Sequence, residues 1–219
     1  MRALLIGNGK TGKEVARLAP QYGITIEHIV TKKKPTIPTE GVDVAIDFSH
    51  EEGFIERLET LLQHNIPLVT GTTGWNDRID QAKSLTEKHK GAVLAAPNFS
   101  VGAFLFSQIL RFAGKKLAPH NLYDPSVFEI HHKNKQDAPS GTAKKLSSIL
   151  EEEFHQEIPT SSLRSGHNPG EHQILFDSID DTITLTHKAK NREPFAKGAL
   201  LAAQWIQEKQ GFFTLEDML

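Results

Sequence analysis

Short apolar runs alternate with amphipathic segments along the first hundred residues. Residues 3–6 form a continuous apolar run that ends at Gly7, which is typical of a buried parallel strand. Apolar residues then recur at helical spacing after Gly12, and Gly23 is the predicted end of that helix. Further strands are predicted at residues 24–30, 42–48, 67–70 and 92–95, with helices over residues 51–65 and 78–89. This rhythm predicts an α/β fold, a doubly wound parallel sheet with helices on both faces.

The pattern changes after Ser100. A long helix is predicted over residues 101–115, followed by a strand over 127–131 and a helix that begins near Ser140. Residues 158–172 are rich in Pro, Ser, Gly and His, and we predict a long loop there. Two strands at 173–176 and 182–187 surround a turn at 177–181, and a last helix spans 195–208. Strands gathered without alternating helices predict a smaller α+β domain with a mixed, largely antiparallel sheet.

Composition narrows the class of protein. With 219 residues, one large or two small domains are expected. A net charge of −2 argues against a nucleic-acid binder, which carries a strongly basic face. The chain has no cysteine, so disulfides and thiolate metal sites are excluded, and the cytoplasm is the expected location. No apolar run approaches the roughly 20 residues of a membrane span, so no membrane partner is expected.

A glycine-rich turn follows the first predicted strand and opens the first helix. It fits the pattern G-x-G-x-x-G with the residues Gly7, Asn8, Gly9, Lys10, Thr11 and Gly12. Such glycines let the backbone approach a pyrophosphate, which the free amides of a helix N-terminus stabilise. A turn that merely joins strand and helix is the alternative, but its context favours a Rossmann-like dinucleotide site. The spacing of an ATP-binding P-loop is missing.

The end of the second predicted strand indicates which dinucleotide is bound. An NAD site usually places an acidic residue there, which accepts hydrogen bonds from the ribose 2′-hydroxyl. Here the chain has Lys32, Lys33 and Lys34 and no acid. These lysines would attract a 2′-phosphate, although a solvated basic loop is the alternative interpretation. We predict a preference for NADPH, with NADH as the second cofactor.

The segment from Glu129 to Thr142 carries the chemistry. Two histidines, His131 and His132, end a strand, and Lys135 follows them. Ser140 is a natural N-cap, so the amides at Gly141 and Thr142 are donors that can bind a carboxylate. A histidine transfers protons near neutral pH. The segment predicts a site for a small carboxylate-bearing substrate that is protonated during reaction; an ordinary capped helix after a strand is the alternative.

Adjacent histidines also raise the question of a zinc site. Neighbours on a strand point to opposite faces, so His131 and His132 cannot easily share one ion, and no third ligand is expected nearby. We therefore predict that the protein binds no metal.

These motifs resemble those of the 4-hydroxy-tetrahydrodipicolinate reductase family. The resemblance is most specific over residues 131–143, which run His-His-Lys-Asn-Lys-Gln-Asp-Ala-Pro-Ser-Gly-Thr-Ala. It extends to Asp-Phe-Ser at 47–49, Gly-Thr-Thr-Gly at 71–74, Ala-Pro-Asn-Phe-Ser-Val-Gly at 96–102, Gly-Glu-His at 170–172, His-Lys-Ala at 187–189, Arg192 and Phe-Ala-Lys-Gly-Ala at 195–199. One departure is the phosphate turn, where Lys10 and Thr11 replace the Arg-Met common in the family.

The resemblance implies a role for each matching residue. His131 would be the proton donor and acceptor, and Lys135 a further proton donor, while His132, Gly141 and Thr142 would bind the substrate carboxylates. The cofactor would contact the glycine turn together with Lys32, Phe48, Gly71, Thr72, Thr73, Ala96, Pro97, Asn98 and Phe99. The reaction would be NAD(P)H-dependent reduction of a cyclic dicarboxylate in lysine and diaminopimelate biosynthesis.

The resemblance also implies the division of the chain. Residues 1–99 and 191–219 would form the dinucleotide-binding domain, and residues 100–190 the substrate-binding and oligomerisation domain of a homotetramer. Two alternatives stay open: a dehydrogenase acting on another amino-acid precursor, and a silent sensor of dinucleotide ratio. A cationic carboxylate site favours the enzyme over the sensor, and residues 131–142 favour this reductase over other dehydrogenases.

Overall fold

The computed structural model describes residues 1–33 and 36–219, so Lys34 of the lysine run lies outside the described residues. The strands are β1 Arg2–Ile6, β2 Thr25–Val30, β3 Val44–Asp47, β4 Leu68–Thr70, β5 Ala92–Ala95, β6 Asp124–His131, β7 Thr160–Arg164, β8 Glu171–Asp177, β9 Thr182–Lys188 and β10 Gly211–Phe213. The helices are α1 Lys10–Leu18, α2 Phe54–Gln63, α3 Ile79–Lys88, α4 Val101–Leu117, α5 Gly141–Phe154, α6 Glu193–Trp205 and α7 Leu215–Met218. Short 3₁₀ turns lie at Ala19–Tyr22, Asn76–Arg78 and Ala118–His120.

The chain divides into two compact units. The first comprises Met1–Ser100 and Glu193–Leu219, and the second Val101–Arg192. The bounds predicted from the sequence differ from these by one or two residues. None of the helices in the described part of the chain is long and apolar enough to cross a bilayer.

The first unit is built on a six-stranded parallel sheet in the order β10-β5-β4-β3-β1-β2. Its central strands are apolar on both faces, and Leu4, Leu5 and Ile46 are fully buried, as expected where helices cover both sides. The predicted doubly wound fold is confirmed. The strand order reverses between β1 and β3, which is where such sheets open a crevice at their carboxyl edge.

The second unit is built on a four-stranded mixed sheet in the order β7-β6-β8-β9. Strand β6 pairs parallel with β7 and antiparallel with β8, and β9 is antiparallel to β8. Alternate residues of β6 and β8 are buried, because one face of the sheet packs on helices α4 and α5. The predicted mixed, largely antiparallel sheet is confirmed.

Two local predictions were wrong, and two short elements were missed. Residues 158–172 were expected to be a loop, yet they contain all of β7 and the start of β8. Strand β7 is polar and lies at the sheet edge, so it lacks the apolar periodicity that marks a strand, and its pairing with β6 is what orders it. Strand β10 and helix α7 were not predicted, since three and four residues are too few to show a period. Helix α1 begins at Lys10 rather than after Gly12, which places Gly12 in its first turn.

Candidate active site and dinucleotide turn

The glycine turn lies at the carboxyl end of β1. Gly7 has φ +94°, a conformation that favours glycine, and its amide donates to the Val30 carbonyl at 2.9 Å. A methyl group on Gly7 would lie 2.5 Å from the Phe48 carbonyl oxygen, so β1 and β3 approach closely there. This is the reversal point of the sheet, where a dinucleotide is expected.

Gly9 leaves room for a pyrophosphate beside the turn, and Gly12 lets helix α1 pack close to β1. Gly9 is the N-cap of α1, and a methyl group there would meet no atom within 4 Å, so its backbone is open to a ligand. A methyl group on buried Gly12 would overlap the Gly7 carbonyl oxygen, so only glycine lets α1 start so close to β1. Asn8 and Lys10 are exposed. These features match what a dinucleotide turn requires.

The other predicted cofactor residues follow the carboxyl ends of neighbouring strands. Phe48 follows β3, Gly71 to Thr73 follow β4, and residues 96–99 follow β5. Because parallel strands end at the same edge of the sheet, the structure brings these segments together with the glycine turn. Gly71 packs on the Phe48 ring, since a methyl group on Gly71 would overlap it, and Phe48 contacts Phe99 edge to face at 5.8 Å.

Within this edge the predicted residues differ in accessibility. Thr72 is buried and donates to the Asp47 carboxylate at 3.1 Å, so its side chain supports the loop from inside. Thr73 and Pro97 are exposed, Asn98 is half-buried and its side chain accepts from the Ser100 amide, and Ala96 is buried. Lys32 and Lys33 are exposed just after β2, so their ammonium groups are free to reach solvent.

In the second unit, His131 is the buried last residue of β6. Its Nδ1 lies 3.0 Å from the Oε2 of Glu129, which is fully buried. No hydrogen bond of good geometry joins these two atoms, so the contact is a close approach of the imidazole to a carboxylate oxygen. Burial lowers the pKa of His131, and Lys135 and Arg164 add to this, while Glu129 opposes it. The free imidazole is therefore mostly neutral at pH 7.

Glu129 is held by three donors, one at the start of α5 and two in β7. Its Oε1 accepts from the Ser140 amide at 2.8 Å, the Ser162 hydroxyl at 2.7 Å and the Arg164 guanidinium at 2.7 Å. Burial alone would raise the pKa of Glu129, but the hydrogen bonds from Ser140, Arg164 and Ser162 lower it to about 2. The buried carboxylate is thus ionised at neutral pH.

His172 completes this buried cluster. It lies directly opposite Glu129 in the β6–β8 pairing, and its Nε2 is 3.3 Å from the Ser140 hydroxyl. Its ring meets that of His131 edge to face at 5.2 Å. Burial and the neighbouring His131 lower the pKa of His172 to about 4, so it is neutral at pH 7.

The predicted anion-binding residues flank this cluster. Ser140 caps α5 by accepting from the Ala143 amide at 3.1 Å, so the Gly141 and Thr142 amides of the first turn have no partner within the helix. Gly141 is exposed and Thr142 half-buried. The Lys135 ammonium lies 2.7 Å from the Asp137 carboxylate and is about three-quarters buried, with 23% of its side chain accessible.

His132 directly follows the last residue of β6. It is half-buried, and its amide donates to the Asn168 carbonyl at 2.8 Å, which ties the end of β6 to the segment before β8. The structure therefore brings His131 and the α5 N-terminus together at Glu129, and both Lys135 and His132 lie near enough to His131 to lower its pKa.

The prediction that no third metal ligand lies near the histidines was wrong. Beside His131 lie two further groups with ligand atoms, Glu129 and His172, all within 4.8 Å of one another. The sequence did not reveal them because the β6–β8 register brings residue 172 next to residue 129. However, the Arg164 guanidinium already pairs with Oε1 of the Glu129 carboxylate at 2.7 Å, and its positive charge disfavours a second cation there. That the protein binds no metal stays a prediction.

Sequence reasoning missed four residues of this cluster. Glu129 and His172 have no role assigned from the sequence, and Ser162 and Arg164 lie in β7, where a loop is predicted. The one available signal was the segment Gly-Glu-His at residues 170–172, which matched the family without an assigned role. A methyl group on Gly170 would lie 3.0 Å from His131 Nε2, so this glycine leaves room at the second ring nitrogen.

Two family models match the chain. The model described as "Dihydrodipicolinate reductase, N-terminus" matches residues 1–99, and "Dihydrodipicolinate reductase, C-terminus" matches residues 102–219. The junction between them lies at the end of the first continuous segment of unit one.

Similar proteins carry the same description. A protein of Christiangramia forsetii named 4-hydroxy-tetrahydrodipicolinate reductase is 33% identical, over 100% of this chain and 98% of its own length. One of the same name from Staphylococcus carnosus is 35% identical, over 100% of this chain and 99% of its length. The solved structure of dipicolinate-bound dihydrodipicolinate reductase from Paenisporosarcina sp. TG-14 superposes with a TM-score of 0.83 at 25% identity, covering 100% of this chain and 99% of that chain. This chain belongs to the dihydrodipicolinate reductase family.

Proposed function

We propose that this chain is a cytoplasmic enzyme that reduces 4-hydroxy-tetrahydrodipicolinate to tetrahydrodipicolinate with NAD(P)H, in lysine and diaminopimelate biosynthesis. The observation that carries the proposal is the pairing of a buried proton-transfer group with an anion site in one unit. His131 lies beside the ionised Glu129, and the same Glu129 holds the start of α5, whose first-turn amides are available. A dicarboxylate that must be protonated fits that combination.

Binding of the dicarboxylate falls to the α5 N-terminus and Lys135. The Gly141 and Thr142 amides donate to one carboxylate, where the helix end stabilises negative charge. Lys135 adds a full positive charge, and the substrate takes the place that Asp137 holds at 2.7 Å in the free protein. His132, which follows His131 in the chain, contacts a substrate carboxylate. No metal takes part.

His131 supplies the proton that accompanies reduction. A bound nicotinamide would supply the hydride, and the hydroxyl group of the substrate leaves as water, so that one hydride and one proton complete the reduction. Burial keeps His131 mostly neutral in the free protein. When the substrate dianion binds, its negative charge offsets the free-energy cost of a buried imidazolium, and His131 gains its proton. Lys135 acts as a further proton donor. The reaction should therefore become slower as the pH rises through the pKa of His131 in the complex.

The proposed function is tested by following reduced nicotinamide by its absorbance, with and without freshly generated substrate. Oxidation that depends on the substrate is the expected result, and prior dialysis against a chelator should not change the rate. Tight dinucleotide binding with no turnover would favour the sensor alternative. Turnover with another imino or keto acid and none with this substrate would favour a different dehydrogenase.

We also propose that NADPH is preferred over NADH, with Lys32 contacting the 2′-phosphate. Exchanging Lys32 for glutamate should lower kcat/KM for NADPH by about 10- to 100-fold, since a charge-assisted hydrogen bond of roughly 1.5–3 kcal/mol is replaced by repulsion. The value for NADH should change little. Lys88→Glu makes the same charge change at the end of α3, before β5, and should leave the ratio unaltered. A native preference for NADH would contradict the assignment.

The second unit is proposed to form a homotetramer through the sheet face opposite α4 and α5. On that face Phe128, Ile130 and Leu175 are half-buried and Leu163 is 45% exposed, which leaves apolar area to cover. Light scattering on a sizing column should give the mass of a tetramer. Leu175→Glu should give a smaller species, whereas Ile179→Glu, at a fully exposed turn, should not. A monomeric native protein would refute the proposal.

A further inference from the structure

We propose that Glu129 is a positioning residue for the reduction: it selects the Nδ1–H tautomer of His131 and holds that ring in a constant position relative to the α5 N-terminus. This inference rests on the proposed function, because His131 is the proton-transfer group there. Glu129 itself is fully buried and touches neither substrate nor cofactor in this assignment.

The two carboxylate oxygens of Glu129 have separate tasks. Oε1 accepts from Ser140, Ser162 and Arg164, all at 2.7–2.8 Å, and so connects α5 and β7 to β6. Oε2 receives none of these bonds. Its near neighbours are His131 Nδ1 at 3.0 Å and His172 Nε2 at 3.7 Å. One oxygen therefore anchors the local structure, and the other faces the imidazoles.

The free oxygen selects the tautomer of His131. A carboxylate oxygen is negative and only accepts, so a neutral His131 is more stable with its proton on Nδ1, 3.0 Å from Oε2, than with a lone pair there, even though that N–H does not point straight at the oxygen. The lone pair is then on Nε2. That nitrogen lies beside Gly170, where the missing side chain leaves space for another group. Glu129 thereby makes Nε2 the nitrogen that gains and returns the catalytic proton.

Glu129 opposes the effect of the surrounding positive charges on the pKa of His131. Lys135 and His132 from the β6 end and its following loop, and Arg164 from β7, all disfavour a second proton on His131. His172 from β8 faces the same ring, and His187 from β9 lies opposite His172 in register. Among the groups that shift the pKa of His131, Glu129 is the one that favours the protonated form.

Glu129→Gln removes the negative charge of the side chain and keeps its size. The three donors around Oε1 will orient the new amide so that its oxygen faces them, which turns the NH₂ group toward His131 Nδ1. That nitrogen must then accept, so the neutral ring changes to the Nε2–H tautomer. We expect kcat to fall by about 10- to 100-fold, less than the 10²–10⁴ of the acid–base group itself. KM for the dinucleotide should stay unchanged.

The measurement is ¹⁵N NMR of the histidine rings across pH, together with the pH profile of kcat/KM. Native His131 should show a protonated Nδ1, and Glu129→Gln a protonated Nε2 with a lower pKa. The falling limb of the rate profile should move to lower pH in the variant. Glu129→Asp keeps the charge and should recover part of the native profile. Glu153→Gln, which removes a mostly buried carboxylate paired with Arg111 at 3.6 Å, should change neither readout.

Each outcome bears on the inference. A native His131 protonated on Nε2 would overturn it, even if Glu129→Gln failed to fold. An unchanged tautomer and pH profile in a folded variant would reduce Glu129 to a structural role and would also overturn it. If the native protein lacked reductase activity, the proposed function would fail, whereas the NMR result would still decide whether Glu129 sets the tautomer of His131.

Discussion

Replacing His131 with alanine is expected to lower kcat by about 10²- to 10⁴-fold, the usual contribution of a general acid–base group. Two buried imidazoles lie next to the ionised Glu129, and that of His131 is the nearer, at 3.0 Å from Oε2 against 3.7 Å for His172. Without it, the proton must come from water, at a site shaped for an imidazole. Substrate and cofactor should still bind, because neither the glycine turn nor the α5 amides are altered.

Steady-state kinetics and a dinucleotide titration check this expectation. The dissociation constant for the dinucleotide should stay within about 2-fold of the native value, far below the change in kcat. His120→Ala removes an exposed histidine from the same unit and should leave kcat unchanged. Thermal unfolding of both variants controls for the cavity that His131→Ala leaves. Equal losses in kcat and dinucleotide affinity, or no loss in kcat, would contradict the role of His131.

The second large effect is expected in the glycine turn, where Gly12→Ala should lower the free energy of unfolding by about 3 kcal/mol. Alanine has the higher helix propensity, by about 1 kcal/mol, so propensity alone would stabilise α1. The added methyl group, however, overlaps the Gly7 carbonyl oxygen, a backbone atom that cannot rotate away. Helix α1 has to move off β1, and at roughly 2–4 °C per kcal/mol the Tm should fall by about 6–12 °C.

Gly9→Ala is the matched control for that prediction. It adds the same methyl group three residues earlier, where no atom lies within 4 Å and φ is −77°, so the Tm should change little. Dinucleotide binding should nevertheless weaken, since the open backbone at Gly9 is where the pyrophosphate would approach. Calorimetry and a dinucleotide titration on both variants separate the two effects. An unchanged Tm in Gly12→Ala would show that α1 shifts at no cost.

Much of the first unit could be predicted because its signals are local. The apolar run of β1, the glycine turn and the helical spacing of α2 lie in contiguous residues, and each predicts its own element. The family resemblance assigned the segments after β3, β4 and β5 to the cofactor site, and the parallel sheet brings these strand ends to one edge. The observed helix ends differ from the predicted ones by a few residues, because neighbouring elements decide where a helix is capped or frays.

The cluster around Glu129 could not be predicted in the same way. Its members come from three strands, and their proximity depends on register: Glu129 lies opposite Ser162 in one pairing and opposite His172 in the other. A polar edge strand such as β7 has no apolar period of its own. The sequence therefore predicts a loop over the residues of β7, including Arg164, and gives no sign that Arg164 belongs to the site.

The amino-acid sequence by itself determined the two chemical signatures of this protein, the glycine turn and the segment from His131 to Thr142, because a turn, a cap and a strand end are encoded in adjacent residues. Only the tertiary structure decided what surrounds His131. The buried carboxylate of Glu129 lies on the same strand, but the guanidinium of Arg164 and the second imidazole of His172 reach the site through strand pairing between segments more than thirty residues apart, and such pairing depends on how the whole sheet packs.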